Sequence, residues 1–455
     1  MPRTILTVST WDRAGGAERA ARELHCEYIR RGEDAWFAAG EVRAPHERTL
    51  LISNRARRST WARACMAVAD ALPQRRAGFH TARLLRGPVA EPSRWWRARR
   101  GEEDFDHPGT AGLLSLTPRP PDALHLHNLH GGYFDLRTLP ALSARVPTIV
   151  TLHDAWLLSG HCSHSFSCER WESGCGHCPA LWIYPKIPRD RTALNWERKR
   201  LLYASSRLYV ASPSAWLADK VRRSMLMSAV RDLRVIPYGI DLTVFTPGDR
   251  AKAKIALGLD PVRPMILTFA ASLQAHTWRD AEAFRGALAR LSGPAVHAQW
   301  IALGESGADV VVGPVRVERR GPEREDARMV LWYQAADAYV HAARADTFPF
   351  MVLESLACGT PVIGSAVGGI PEQVRGAGIL SASAGASGIG EATGAIVPPF
   401  DASALARAIM AFFGQPVSVQ ATLGANAARD ARARFDIHRH ADDYLAWMGE
   451  LTETS

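Results

Sequence analysis

One stretch limits what this chain can fold into more than any other: Arg344 to Glu372, RADTFPFMVLESLACGTPVIGSAVGGIPE. It predicts a loop carrying Asp346, a short helix from about Phe350 to Cys358, and a buried strand from Pro361 to Ser365. A tight glycine loop follows at Gly368 and Gly369. Pro349 suits a first helical turn, where a missing N–H costs nothing. Gly359 suits the C-cap, with Pro361 just beyond it. A helix N-terminus points free N–H groups outward and attracts phosphate. The backbone of Phe350, Met351 and Val352 is therefore a candidate phosphate cradle. Asp346 and Glu354 flank it, and carboxylates accept hydrogen bonds from sugar or ribose hydroxyls.

At 455 residues the chain is too long for one comfortable core, so two domains are expected. No run is long and apolar enough to span a membrane, and the N-terminus MPRTILTVST enters a strand pattern without a signal-peptide core. Cytoplasmic residence, extending to the inner face of the membrane, is the expectation. A net charge of +9 fits a binder of phosphates or anionic surfaces without choosing between them.

In the N-terminal half, Thr4–Val8 reads as a strand, Gly15 and Gly16 as a turn, and Ala17–Arg31 as a helix. Strand, glycine turn and helix make a phosphate-cradling arrangement. Glu18 is an acid in that helix's first turn. From Glu41 to Pro120 periodicity weakens and arginines crowd around Trp61, Trp95 and Trp96. Ala123–His127 is a strand, on which His125 and His127 are expected to face opposite ways; His130 follows. Thr148–Leu152 is a buried strand running into His153 and Asp154. The carboxyl end of such a strand is where open α/β sheets bind ligands.

The stretch SGHCSHSFSCERWESGCGHCP places Cys162, Cys168, Cys175 and Cys178 at C-x5-C-x6-C-x2-C, with His161, His164 and His177 interleaved. The closing C-G-H-C is a metal half site, and zinc held by the four thiolates is the leading expectation. Free thiols and disulfides stay open as alternatives, although a reducing interior disfavours the latter. In the second half, Met265–Ala270 is a strand, the loop SLQAHTWRD carries Arg279, and Gln299–Leu303 ends at Gly304. A glycine- and serine-rich run, Ser381 to Ala395, is expected to be mobile.

Several of these motifs resemble one family. The spacing D-x7-E from Asp346 to Glu354, followed by SLACGTPVIGSAVGGIPE, is similar to the retaining glycosyltransferases of family 4, which have the GT-B fold. The family pattern opens on Glu where this chain has Asp346. The first glycine loop resembles the family's G-G-x-E, TLHDAW its T-x-H-D, and PYGIDLTVFTP its N-G-[IV]-D-x-x-x-F-x-P. The cysteine stretch is similar to an insert found in a subset of the family. The resemblance implies two Rossmann-like α/β domains facing across a cleft: an acceptor-side domain over 1–245, a nucleotide-sugar domain over 246–430, and a C-terminal helix over 431–455 packing back on the first. It implies that Gly15 and Gly16 lie against the donor phosphates and that His153 faces the transferred sugar. Asp346 and Glu354 would hold donor hydroxyls, and Gly304 would lie near the base. The family's cationic pair is missing from SLQAHTWRD, leaving Arg279 as the candidate for the diphosphate.

Together these expectations describe a nucleotide-sugar-dependent transferase working with retention. It would move a hexose or N-acetylhexosamine, UDP-linked, to a hydroxyl of a polysaccharide, lipid-linked or aminocyclitol acceptor. Exopolysaccharide and antibiotic synthesis are both open routes. No catalytic metal or organic cofactor is expected, nucleic acid is not an expected partner, and peripheral membrane contact is. The alternatives are a GT-B epimerase, separated by product analysis without acceptor, and an anion- or nucleic-acid-binding protein, which would shift an oligonucleotide in a salt-sensitive way.

Overall fold

The apolar runs of the sequence become the strands of two separate sheets. The computed structural model describes residues 2–13, 15–44, 48–73, 75–273, 277–376 and 390–453. The first sheet uses β1 (Thr4–Trp11), β2 (Asp34–Glu41), β3 (Thr49–Leu51), β4 (Ala123–His127), β5 (Thr148–Thr151), β6 (Leu208–Ser212) and β7 (Val230–Val235). Their order is β3-β2-β1-β4-β5-β6-β7 and every pair is parallel. Parallel strands covered on both faces need continuous apolar runs rather than alternation. Accordingly β1 is buried over all but its last residue. One layer against this sheet joins Leu24 and Tyr28 of the helix Gly16–Arg30 to Tyr444, Trp447 and Met448 of the helix Ile437–Glu453.

The second sheet uses β8 (Met265–Phe269), β9 (Gln299–Leu303), β10 (Val310–Val312), β11 (Val315–Arg320), β12 (Ala338–His341), β13 (Val362–Ser365) and β14 (Gly394–Val397). Its order is β10-β11-β9-β8-β12-β13-β14. Only β10 and β11 run antiparallel, through a turn in which Gly313 takes φ +57°. Phe284, Trp300, Phe412 and Leu423 anchor its core.

The chain divides into two compact units. The first contains Met1–Pro213, Leu217–Ile236 and Ala441–Ser455; the second contains Ser214–Trp216 and Pro237–His440. The crossing therefore lies between Ile236 and Pro237, earlier than residue 245, and the return lies inside the last helix rather than at residue 431. The cause is local bonding of PYGID. Tyr238 stacks on Phe350 with centroids 5.0 Å apart, the Gly239 N–H donates to His440 Nδ1 at 3.1 Å, and the Ile240 N–H donates to Phe435 O at 2.8 Å. Past His440 the helix changes allegiance, and the Tyr444 hydroxyl lies 2.7 Å from Thr151 Oγ1.

One further expectation changes. His125 and His127 are two residues apart and so share a strand face; their ring centroids lie 4.1 Å apart. The arginine-rich middle forms helices Thr60–Ala71, Arg76–Leu84 and Pro92–Arg99 around a wide turn at Leu85–Val89. Most of the glycine- and serine-rich run, residues 381–389, lies outside the described residues.

Candidate active site

In the first unit a polar cluster forms at the carboxyl ends of β1, β4 and β5, where a parallel sheet presents its loops. His153 follows β5, and its Nε2 lies 3.0 Å from His127 Nδ1, the rings stacked at 5.2 Å. Burial pushes His153 down to about 4, the nearby His130 adding to the effect and Asp154 opposing it. The imidazole is therefore neutral at pH 7. The hydrogen bonds of Asp154 go to other partners than His153. Its Oδ2 lies 2.7 Å from His130 Nε2, and its Oδ1 accepts the Trp156 N–H at 2.9 Å.

His130 packs edge-on to Trp156 and Tyr184, with centroids 5.5 and 5.3 Å away. Asn128, just past β4, takes φ +49° and donates from Nδ2 to Glu18 Oε1 at 2.9 Å. Asn is one of the few residues that occupies this left-handed region at small cost. Glu18 is buried, while Gly15 caps and Gly16 opens the exposed end of the helix above it. Thr10 Oγ1 ties this loop down by donating to Asn128 O at 2.9 Å or His130 O at 3.0 Å. Asn128, His130 and Glu18 thus join His153 in a site that the sequence marked by His153, Gly15 and Gly16. Glu18 is the acid of the G-G-x-E resemblance, whereas Asn128 and His130 were signalled only by lying past a strand end.

Behind this loop sits a buried ion pair. Lys199 Nζ lies 2.9 Å from Glu103 Oε2 and donates to Trp156 O at 2.9 Å and Ser159 O at 3.0 Å. Glu103 Oε1 in turn accepts from Trp156 Nε1 at 2.6 Å. Trp156 is held from both sides, which fixes the chain leaving His153 and Asp154.

The second unit brings Arg279 and Asp346 together. Arg279 Nη1 donates to Asp346 Oδ2 at 2.9 Å, and His341 Nε2, at the end of β12, lies 3.4 Å from the same oxygen. His341 Nδ1 is 2.6 Å from the Tyr339 hydroxyl. Burial alone would raise the Asp346 carboxyl; the His341 contact and the Arg279 charge outweigh it and hold the group below its ordinary value. Burial, with Arg279 adding to it, pushes His341 down, so this imidazole is neutral. A guanidinium carries five donors, so one bond to Asp346 leaves capacity for a second anion.

Asp346 leads into the helix Phe350–Ala357, whose N-cap, Pro349, makes no side-chain cap bond. The Val352 N–H donates to Pro349 O at 3.2 Å and is spent within the turn. Val352 is thus removed from the phosphate cradle, and Phe350 and Met351 remain at the helix end. Glu354 is buried in the same helix, where its Oε2 accepts the Tyr333 hydroxyl at 2.7 Å. Gly368 and Gly369 serve this loop more tightly than a flexible link would. A Cβ on Gly368 would sit 1.7 Å from Asp346 O, and the Gly369 N–H donates to Thr347 O at 2.9 Å. Gly304, with φ +119°, ends β9 with open space around it.

Among the described residues no group of three or more His, Cys, Asp or Glu side chains is placed to hold a metal ion. Cys162, Cys168, Cys175 and Cys178 form no disulfide. Burial pushes Cys162 up to about 12 and Cys175 up to about 11. The thiols bond locally instead: Cys175 Sγ accepts the Gly160 N–H at 3.3 Å, and Cys178 Sγ lies 3.4 Å from His161 Nε2.

A model of the glycosyl transferases group 1 family matches residues 322–430, the span that carries Asp346, Glu354 and the helix N-terminus. D-inositol 3-phosphate glycosyltransferase 1 of Catenulispora acidiphila is 34% identical over 355 residues, 74% of this chain and 74% of that protein. The chain belongs to the glycosyl transferases group 1 family. A putative colanic acid biosynthesis glycosyl transferase, WcaC of Escherichia coli, is 29% identical over 259 residues, 53% of this chain. The match spans 59% of that relative's length. Among solved structures, HepE of Anabaena in complex with UDP-glucose aligns with a TM-score of 0.58 at 16% identity, over 98% of this chain and 99% of its own. That likeness is one of fold, and the fold of this group 1 chain is GT-B.

Proposed function

We propose that this protein is a retaining glycosyltransferase that moves a hexose or N-acetylhexosamine from a UDP-sugar to an acceptor hydroxyl. The observation that carries the proposal is the Arg279–Asp346 pair, four residues before the helix that opens at Phe350. A departing diphosphate needs fixed positive charge, and a guanidinium beside an uncapped helix N-terminus supplies it. Glu354 is assigned to the ribose hydroxyls, Asp346 to the donor sugar, and Gly304 to the neighbourhood of the base.

In the first unit His153 is neutral and able to donate or accept one hydrogen bond, as a sugar hydroxyl requires. Glu18, Asn128 and His130 add carboxylate, amide and imidazole groups for an acceptor. The acceptor oxygen forms its bond to the anomeric carbon on the face from which the diphosphate leaves. The bond to the diphosphate oxygen breaks, and the acceptor proton passes to that oxygen. The side chains orient and stabilise; none is asked to form a covalent sugar intermediate.

The acceptor is a hydroxyl of a polysaccharide, lipid-linked or aminocyclitol compound. Likeness to a colanic acid protein supports the first and likeness to an inositol-phosphate protein supports a cyclitol. The test is a panel of nucleotide sugars scored by calorimetry, followed by mass analysis of an acceptor mixture. A hexose added to an acceptor, dependent on Arg279, is expected. Donor consumption that is independent of acceptor and yields an epimer would refute it.

A further inference from the structure

The helical outcrop built from residues 55–100 in the first unit has no part in the chemistry above. Its sequence holds twelve arginines against two acids, a net charge of +10, where the whole chain carries +9. The positive charge of the protein is therefore concentrated here. Four of the arginines are engaged: Arg55 and Arg86 pair with Asp70, and Arg58 and Arg94 with Glu91. Among the described residues Arg63, Arg75, Arg83, Arg97, Arg99 and Arg100 have no carboxylate partner.

The apolar side chains of the outcrop are arranged inside out. The buried cluster within it is made of small residues, Ala62, Cys65 and Ala90. Six of its large apolar residues face solvent: Trp61 is 61% exposed, Phe79 57%, Trp96 57%, Leu84 56%, Val68 55% and Val89 41%. On the helix Thr60–Ala71, Trp61, Ala64, Val68 and Ala71 recur at helical spacing along the exposed side, beside the buried strip of Ala62, Cys65 and Ala69. The Trp61 indole N–H donates to Val89 O at 2.9 Å, so this stripe continues onto the turn that starts beside Leu84. Large apolar groups held in water without a core to bury them mark an interaction surface.

We propose that this outcrop docks on an anionic lipid surface, lying on the bilayer rather than crossing it. Tryptophan and phenylalanine interleaved with unpaired arginines match a negatively charged headgroup layer above an apolar interior. Among the described residues no single helix is long and apolar enough to span a membrane. A second copy of the chain is a poor occupant, because an isologous contact would set +10 against +10. Nucleic acid would satisfy the arginines, but phosphates offer nothing to Val68, Leu84 and Val89.

The test is co-sedimentation of the full chain with vesicles of phosphatidylcholine alone and of phosphatidylcholine with one part in three phosphatidylglycerol. Polythymidine binding is measured alongside, and UDP binding serves as the control for folding. Binding to the anionic vesicles alone is expected, weakening at about 0.5 M salt. Arg63→Gln/Arg83→Gln/Arg97→Gln should cut partitioning about 100-fold, at about fivefold per arginine. Trp61→Ser/Phe79→Ser should cut it at least about tenfold at unchanged charge, with UDP binding retained. Equal partitioning on both vesicles, or no loss in either variant, would overturn the proposal. So would polythymidine binding that outcompetes the vesicles and ignores Trp61→Ser/Phe79→Ser, which assigns the surface to nucleic acid.

Discussion

Replacing Arg279 by glutamine tests the donor end of the site. The side chain is 12% exposed and its partner Asp346 is 21% exposed, joined at 2.9 Å. Breaking a buried ion pair from one side costs about 3–5 kcal/mol, because the other charge is left behind. Here His341 still lies 3.4 Å from the Asp346 oxygen and water reaches part of the carboxylate, so about 2–3 kcal/mol of stability is the expected loss. Catalysis should suffer more. Losing one preformed group that stabilises developing negative charge costs about 10²–10³ in kcat. The two effects separate in a cycle with Asp346→Asn. The double variant removes both charges and should regain most of the stability measured by urea unfolding, while its turnover stays low. Steady-state rates with a UDP-sugar, beside calorimetry with UDP, provide the readout. Arg279→Gln turning over within about threefold of the parent, or turnover restored in the double variant, would show that Arg279 serves only Asp346.

Glu354→Gln should weaken donor binding by about 1.5–3 kcal/mol, the worth of a hydrogen bond to a charged group, and calorimetry giving an unchanged Kd would remove it from the ribose. Acid should destabilise the protein through His153, whose folded value of about 4 lies below the ordinary 6.5. The unfolded chain takes up a proton that the folded one refuses, so stability is present above pH 6.5 and is lost as pH falls towards 4. Between pH 7 and pH 5 the parent should lose about 2 kcal/mol more than His153→Gln in urea titrations; parallel curves would contradict the burial of that ring. Lys199→Met should cost about 3–5 kcal/mol by leaving Glu103 buried and unpaired, and a loss under about 1 kcal/mol would mean that the Trp156 loop is held by other contacts.

Local patterns carried much of this architecture. The central strands of both sheets follow from apolar runs, and the turn at Gly15 from the small residues it needs, whereas β3, β11 and β14 were not read as strands. His153 was found because a residue past a buried parallel strand faces the ligand side of a sheet. Pairings between distant segments were not legible. Arg279 and Asp346 looked like separate candidates, since only the positions of β8, β12 and β13 in one sheet bring their loops together. His341 and Tyr339 lie two apart on β12, so alternation places both on one face, where the Tyr339 hydroxyl meets His341 and His341 meets Asp346. Val352 failed as a phosphate ligand because its N–H turns back to Pro349, a matter of first-turn geometry that composition does not encode. The cysteine spacing suggested a metal, but backbone placement decides whether four thiols converge, and spacing alone leaves that open.

The central claim is transfer of a sugar with retention from a nucleotide donor, and the most direct measurement is the anomeric configuration of the first-formed product. The protein is incubated with UDP-α-glucose, or with the donor that binds best in the panel, and an acceptor that becomes glycosylated. The one-bond carbon–proton coupling at the anomeric centre is read by NMR before any equilibration. The account predicts an α-linked product from the α-linked donor, with release of one UDP for each bond formed. A β-linked product, or sugar released to water or epimerised without an acceptor, would contradict it.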